Sequence, residues 1–142
     1  MKKESVMASD KSGTTVLTVD ECMRLLTSTV PRIGRVGFLS DGRPVIIPVN
    51  YLFHEGSVVF RSDGGAKLRA AEAGQHVAFE VDAVDPTWEE GWSVVVQGRA
   101  EVVCDPADLD RLDGLPLRPW GPGPKASYVR IMSTEISGRR LD

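Results

Sequence analysis

Residues Arg35 to Lys67, RVGFLSDGRPVIIPVNYLFHEGSVVFRSDGGAK, leave this chain few folds to choose from. Two strand-like runs, Arg35 to Leu39 and Val45 to Phe53, are separated by Ser-Asp-Gly-Arg, and Asp41-Gly42 is a tight-hairpin signal. A third run, Ser57 to Arg61, follows after His-Glu-Gly. Together they read as a β-meander. The third strand delivers its end straight into Arg61-Ser62-Asp63-Gly64-Gly65-Ala66-Lys67, and that junction is the leading candidate for a site.

The second run is unusual because Val45 to Phe53 is apolar at both parities. A strand hydrophobic on both sides must be covered on both sides. One face can fill a barrel, and a ligand or a second subunit can cover the other. Pro48 in its middle lacks a backbone donor and favours an edge or an opening between strands. A β-barrel that splits beside this strand accounts for both features, and a plain buried strand with an edge proline is the simpler alternative.

Around this centre the chain supplies short helices and more strands. Residues 1–15 are polar and read as a disordered leader, and residues 16–142 as a single domain. Thr18 and Glu21 form a capping box, from which Val19, Cys22, Met23, Leu26 and Val30 give one apolar stripe that Pro31 ends. Lys67 to Ala73 reads as a short helix stopped by Gly74. Gln75 to Asp82 is a fourth strand, Ala83 to Gly91 an acidic loop, and Trp92 to Val103 a fifth strand with a bend or bulge expected at Gly98. Asp105-Pro106 starts a third helix, running to about Leu112. Leu115 to Lys125 is a proline-rich loop carrying Trp120, and Tyr128 to Ile136 is a sixth strand. The expected fold is therefore mainly β: a six-stranded antiparallel split β-barrel of Greek-key type with short flanking α-helices. A parallel α/β sheet is disfavoured because helices do not alternate with strands.

Composition narrows the partners. A net charge of −3 over 142 residues argues against a nucleic-acid surface. No apolar run has the length of a membrane span, and the N-terminus has no signal-peptide core, so the expectation is a cytoplasmic protein with no membrane partner. Cys22 and Cys104 match no metal spacing and are expected to be buried free thiols, and no metal is expected.

The chemistry of the junction points to an anion. Gly64 and Gly65 let backbone amides come close to a ligand, and a helix N-terminus adds positive potential. Arg61 offers a bidentate fork, Ser62 a hydroxyl and Lys67 a point charge, a set suited to a phosphate monoester. The spacing is not that of a Walker loop, and a solvated polar turn is the plain alternative.

The order GRPVIIPVNY, short hairpin, VVFRSDGGAK, QHVAFEVD and GWSVVVQGRAEVV resembles the pyridoxamine 5′-phosphate oxidase-like family, in particular its small nitroimidazole-resistance-type branch. The resemblance runs from about Val19 to Arg140 and includes the ending Tyr128-Val129-Arg130 … Ser137-Gly138-Arg139-Arg140. It implies a split barrel that forms a homodimer and binds FMN at the subunit interface. By the same resemblance, Ile47, Pro48, Val49 and Asn50 would run along the flavin ring. Arg61, Ser62 and Lys67 would hold its phosphate, and Trp92 and Ser93 would line the cleft. Trp120 would cap the ring and Arg139 would reach the site.

Two departures qualify what the resemblance implies. The chain ends soon after its sixth strand, where the full-length oxidases carry the residues that grip pyridoxal phosphate, so oxidation of pyridoxamine phosphate is not expected. Ala66 stands where those enzymes often have arginine. No histidine, cysteine or carboxylate is placed as an evident acid or base, so catalytic residues are not assigned and the chemistry would belong to the flavin.

The resulting expectation is an FMN-dependent oxidoreductase moving hydride to or from a small organic substrate, with NAD(P)H as a possible electron donor. The alternatives are a non-catalytic flavin store or sensor, and a deazaflavin- or haem-binding member of the same fold. For haem, His54 and His76 are the available axial ligands.

Overall fold

Asp41 and Gly42 take φ angles of 52° and 76°, and the two-residue hairpin they close sets the register of one side of the sheet. The structure is a computed structural model and describes residues 14–29, 32–117 and 127–141. In chain order its elements are β1 (Thr14–Val16), α1 (Val19–Ser28), β2 (Ile33–Ser40), β3 (Arg43–Asn50), β4 (Leu52–His54) and β5 (Ser57–Ser62). They continue with α2 (Gly65–Glu72), β6 (His76–Asp85), β7 (Glu90–Val102), α3 (Pro106–Asp113) and β8 (Ser127–Leu141).

The strands form one antiparallel sheet in the order β3-β2-β6-β7-β8-β5-β4, with β1 added on β8. Its two end strands, β3 and β4, are consecutive in the chain and separated only by Tyr51. A sheet whose opposite edges are joined by one residue has to curl until those edges nearly meet. The result is a barrel with a split beside β3, and β3 touches β5 across it.

Tyr51 is the pin of this arrangement. It is completely buried, its N–H donates to the Arg32 carbonyl at 3.0 Å, and its hydroxyl donates to the Leu26 carbonyl of α1 at 2.9 Å. Its ring meets Phe79 edge to face, with centroids 4.9 Å apart. Inside the barrel, Val36, Phe38, Val58, Phe60, Phe79, Val81, Val94, Val96, Val129 and Ile131 form the main core, one residue in two from each strand as the pleat demands. α1 is fastened by its capping box, in which Thr18 Oγ1 accepts from the Glu21 N–H at 3.1 Å and Glu21 Oε1 accepts from the Thr18 N–H at 2.9 Å. It buries Cys22 and Leu26 against the core, and burial pushes the Cys22 thiol up to about 11. A second, smaller core lies on the other side of β5, where Leu52, Val59, Val103, Leu112, Leu117 and Tyr128 pack beneath α3.

The split barrel with short helices is as the sequence implies, and several details differ. Among the described residues there are eight strands, not six. Val45 to Phe53 is not one strand, because at Tyr51 the chain leaves one sheet edge and joins the other. The first described residues, Thr14 and Thr15, belong to β1 and pair with Leu141 and Arg140, although composition alone assigned them to the leader.

Most of the acidic segment after Asp82 is strand rather than loop. The β6–β7 ladder continues through Ala83↔Trp92 to Asp85↔Glu90, since two strands that overhang a barrel can stay paired without an apolar face. Cys104 is exposed, not core: Val103 turns into the second core and the next residue faces out, ahead of the Asp105 cap of α3. The irregularity expected at Gly98 is present as a register shift between Gln97 and Gly98.

Candidate functional site

The split opens where pairing stops. β4 pairs with β5 as Leu52↔Val59, and continuing that register upstream sets Asn50 opposite Arg61. The strand does not continue there, because β3 pairs instead with β2. Ile47–Asn50 and Arg61–Lys67 therefore lie on the two lips of one opening.

The hairpin register explains the prolines on the first lip. Residues flanking a two-residue turn form a hydrogen-bonded pair, here Ser40↔Arg43, and alternate pairs after it do the same. Val45, Ile47 and Val49 thus direct their backbone groups to β2, while Pro44, Ile46, Pro48 and Asn50 direct theirs to the open edge. Pro48 removes no ladder bond at all. Between residues 44 and 50 only Ile46 and Asn50 carry an N–H toward the split, an edge poorly suited to adding another strand. It still offers both donors and acceptors to a ligand. The side chains alternate oppositely. Val49 is buried, Ile47 packs on the main core, and Ile46 is 73% exposed beside Pro44 and Pro48.

The second lip is the β5–α2 junction. Gly64 and Gly65 have φ of 123° and 81°, conformations that L residues rarely adopt, and a Cβ added at either would meet nothing within 4 Å. Gly64 caps α2 without any side-chain hydrogen bond, so the first-turn amides, which helix geometry leaves without intrahelical partners, are not covered by a cap. Lys67 sits in that first turn, half-buried. Ser62 is 1% exposed, and its hydroxyl is engaged locally: it donates to the Gly64 carbonyl at 3.0 Å and accepts from the Gly64 N–H at 3.4 Å. It therefore shapes the turn. Arg61, on the opposite face of β5, lies over the Tyr128 ring with its Nε buried and without a hydrogen-bond partner.

The remaining sequence candidates stand apart. Trp92 pairs with Ala83 and Arg140, and Ser93 with Asp82 and Arg139. Arg139 Nη1 donates to Thr14 Oγ1 at 3.1 Å. Arg61 pairs with Tyr128, near the opposite end of β8 from Arg139. Tyr128 and Arg139 are eleven positions apart on the strand, about 36 Å along the chain at the usual rise. Within one copy these two groups do not form a common site. Trp120 lies outside the described residues.

Two features escaped the sequence. The outer face of β2 and β3 is apolar and exposed at Leu39, Pro44, Ile46 and Pro48, beside a groove of about 570 Å³ floored by Gly37 and Ala78 and rimmed by Gln97 and Glu135. The doubly apolar run was its signal.

On the same face Arg35 Nη1 lies 3.4 Å from Glu80 Oε1 and 3.8 Å from Asp82 Oδ2. Burial, then the neighbouring Asp82, push the Glu80 carboxyl up to about 7, with Arg35 opposing. A carboxyl raised in the folded state binds more protons than in the unfolded chain, so stability falls as pH rises from the ordinary glutamate range through about 7. Glu80→Gln is accordingly expected to raise the melting temperature at pH 8, with the advantage shrinking toward pH 5. An advantage independent of pH would show that Glu80 does not titrate in this window.

Comparison with known proteins places this geometry. The sequence model of the pyridoxamine 5′-phosphate oxidase family matches residues 18–140. An uncharacterized protein of Mycobacterium tuberculosis is 38% identical over 148 aligned positions, covering 99% of this chain and 95% of that protein. A solved structure described as the FAD-binding protein from Mycobacterium smegmatis is 36% identical, with a TM-score of 0.72, covering 89% of this chain and 96% of that one. Another, described as an FAD-binding protein from Mesorhizobium loti, is 27% identical with a TM-score of 0.74, covering 91% of this chain and 99% of that one.

Proposed function

We propose, for a chain that belongs to the pyridoxamine 5′-phosphate oxidase family, that it binds a flavin nucleotide, FMN, in a cleft completed by a second copy of itself, as a flavin-dependent oxidoreductase. The observation that carries this reading is the pair of relatives described as FAD-binding, each matched over about nine-tenths of this chain. The residues on the split fit such a ligand. The open glycines, the uncapped start of α2, Lys67 and the Arg61 guanidinium suit a phosphate, and the open edge of β3 suits the polar rim of a planar ring. A flavin supplies hydride chemistry, and this chain supplies the grip, the orientation and the exclusion of water.

Two observations support the second copy. The apolar outer face of β2 and β3 is uncovered in a single chain. Trp92, Ser93 and Arg139 are too far along the sheet from Arg61 to join it, so a ligand held by both groups would take one from each copy. The substrate is a small organic molecule, with NAD(P)H as the electron donor.

The test is an absorbance spectrum of the purified protein with and without added FMN, followed by identification of what denaturation releases. FMN is expected. FAD is the second reading, favoured by the descriptions of both relatives, and its release would keep the cleft and enlarge the ligand. A Soret band would turn attention to His54, which lies 3.6 Å from Glu55 Oε2, and to exposed His76. Uptake of a deazaflavin alone would change the coenzyme and keep the fold. A flavin-loaded protein that reduces neither a quinone nor a nitro compound with NAD(P)H would be a flavin store or sensor rather than an enzyme.

Lys67→Ala is expected to weaken FMN binding by about 10- to 100-fold, the loss of one charge-assisted contact of about 1.5–3 kcal/mol. Riboflavin, which has no phosphate, should bind the variant as it binds the wild type. Equal losses for both ligands would move the phosphate away from α2.

A further inference from the structure

Arg61 is held in a way that keeps its charge available. Its Cζ lies 5.0 Å from the centroid of the Tyr128 ring, and the two residues are direct cross-strand partners on β5 and β8. The ring is itself fixed. Tyr128 is 5% exposed, packs in the second core, and its hydroxyl donates to Asp113 Oδ1 at 2.9 Å, at the end of α3.

Nearby carboxylates have other work. Glu101 accepts from Arg130 Nε at 2.8 Å, and Asp108 lies 3.5 Å from Arg130 Nη1. Among the described residues no carboxylate pairs with Arg61, and its buried Nε has no acceptor. An aromatic face orients a guanidinium without neutralising it, whereas a carboxylate would do both. The Nε itself is sealed by the protein, so the two Nη groups, which no carboxylate occupies, are the donors left to an oxyanion.

We propose that Tyr128, seated by Asp113, is a positioning residue that presents the un-neutralised Arg61 guanidinium to the phosphate of the bound flavin nucleotide. The inference rests on the flavin reading above and adds the group that sets phosphate affinity. It also assigns a purpose to α3, whose end carries the carboxylate that fixes the ring.

The test compares FMN with riboflavin in titrations of the wild type, Arg61→Ala, Tyr128→Leu, Tyr128→Phe and the Arg61→Ala/Tyr128→Leu double variant. Tyr128→Leu is expected to lose about tenfold in FMN affinity, the size of a desolvated cation–π contact, with riboflavin unchanged. Tyr128→Phe, which keeps the ring, should stay within about threefold of wild type. The double variant should be no weaker than Arg61→Ala alone, because the two residues act as one. Equal losses for FMN and riboflavin in Tyr128→Leu, or additive losses in the double variant, would overturn the proposal.

A ligand-free measurement separates this proposal from the flavin reading. The Arg61 Nε–H resonance should be ring-shifted and slow to exchange in wild type, and Tyr128→Phe should preserve it. Should Tyr128→Leu fail to fold, Asp113→Asn replaces it, with partial loss of the shift expected. A wild-type protein that ignores flavins yet shows the shifted resonance would sink the flavin reading, and with it the flavin phosphate as the ligand of Arg61, while keeping Tyr128 as the residue that positions it. An Arg61 resonance at the position of a solvated arginine would sink this one.

Discussion

Phe79→Ala is expected to lower the free energy of unfolding by about 3–5 kcal/mol, the usual cost of removing a fully buried aromatic ring. That is a large part of the roughly 5–15 kcal/mol that holds a domain together. Phe79 is completely buried on β6 and meets Tyr51 edge to face. It also fills the space above Gly34 so closely that a Cβ added there would lie 2.2 Å from the ring. Two of the neighbours bordering the cavity can do little to fill it: a glycine without a side chain and a tyrosine held at both its N–H and its hydroxyl. Because Tyr51 carries the chain from β3 to β4, loosening it should also widen the split and weaken flavin binding. Denaturant titration and flavin titration of the same variant measure both effects. A stability loss under about 1.5 kcal/mol would show that the barrel closes over the hole and that this contact does not hold the lips in place.

Gly98→Ala should be comparably damaging for the opposite reason. The Cβ it introduces would lie 2.0 Å from the Met132 carbonyl oxygen and 2.8 Å from its carbon, backbone atoms that no rotamer change can move aside. Gly98 stands at the register shift between β7 and β8, where Gln97 pairs with Glu135 and Gly98 with Ser133. Relief requires the two strands to part, at a cost of about 3 kcal/mol or more, the upper end for overpacking in an interior. The disturbance would reach the site, since α2 packs on β7 and Arg99 Nη1 donates to the Gly74 carbonyl at 2.7 Å. Thermal unfolding should show the loss, and amide exchange should show faster opening around residues 97–99 and 132–134. A variant with wild-type stability would mean that the bulge can migrate along the ladder.

Much of this was legible in the sequence because the signals are local. Asp41-Gly42 specifies a two-residue turn, Thr18 and Glu21 specify a helix start, and Gly98 specifies a bulge, each through chemistry confined to a few neighbouring residues. The polar junction after Arg61, with its two adjacent glycines, was legible for the same reason. The ends of elements were less so. Thr14 and Thr15 have no apolar pattern, and what makes them strand is a partner at Arg140 and Leu141, more than 120 residues away along the chain. The end of the β6–β7 hairpin is similar, because its pairing is carried by the ladder and not by burial.

A meander of antiparallel strands, a helix cap at Thr18 and a strand too apolar for one buried face all follow from local chemistry, since propensity, capping and the two-residue period act over short distances. Long-range packing settled that this strand breaks at Tyr51, because the break depends on which sheet edges meet when the barrel curls. It alone placed Pro48 where no ladder bond is lost, and it alone put Arg61 on the outer face of β5 over Tyr128 while Ser62 turns inward to shape its own loop. Neighbours in sequence on a strand point to opposite faces, and which face meets which layer is settled by packing between residues far apart in the chain.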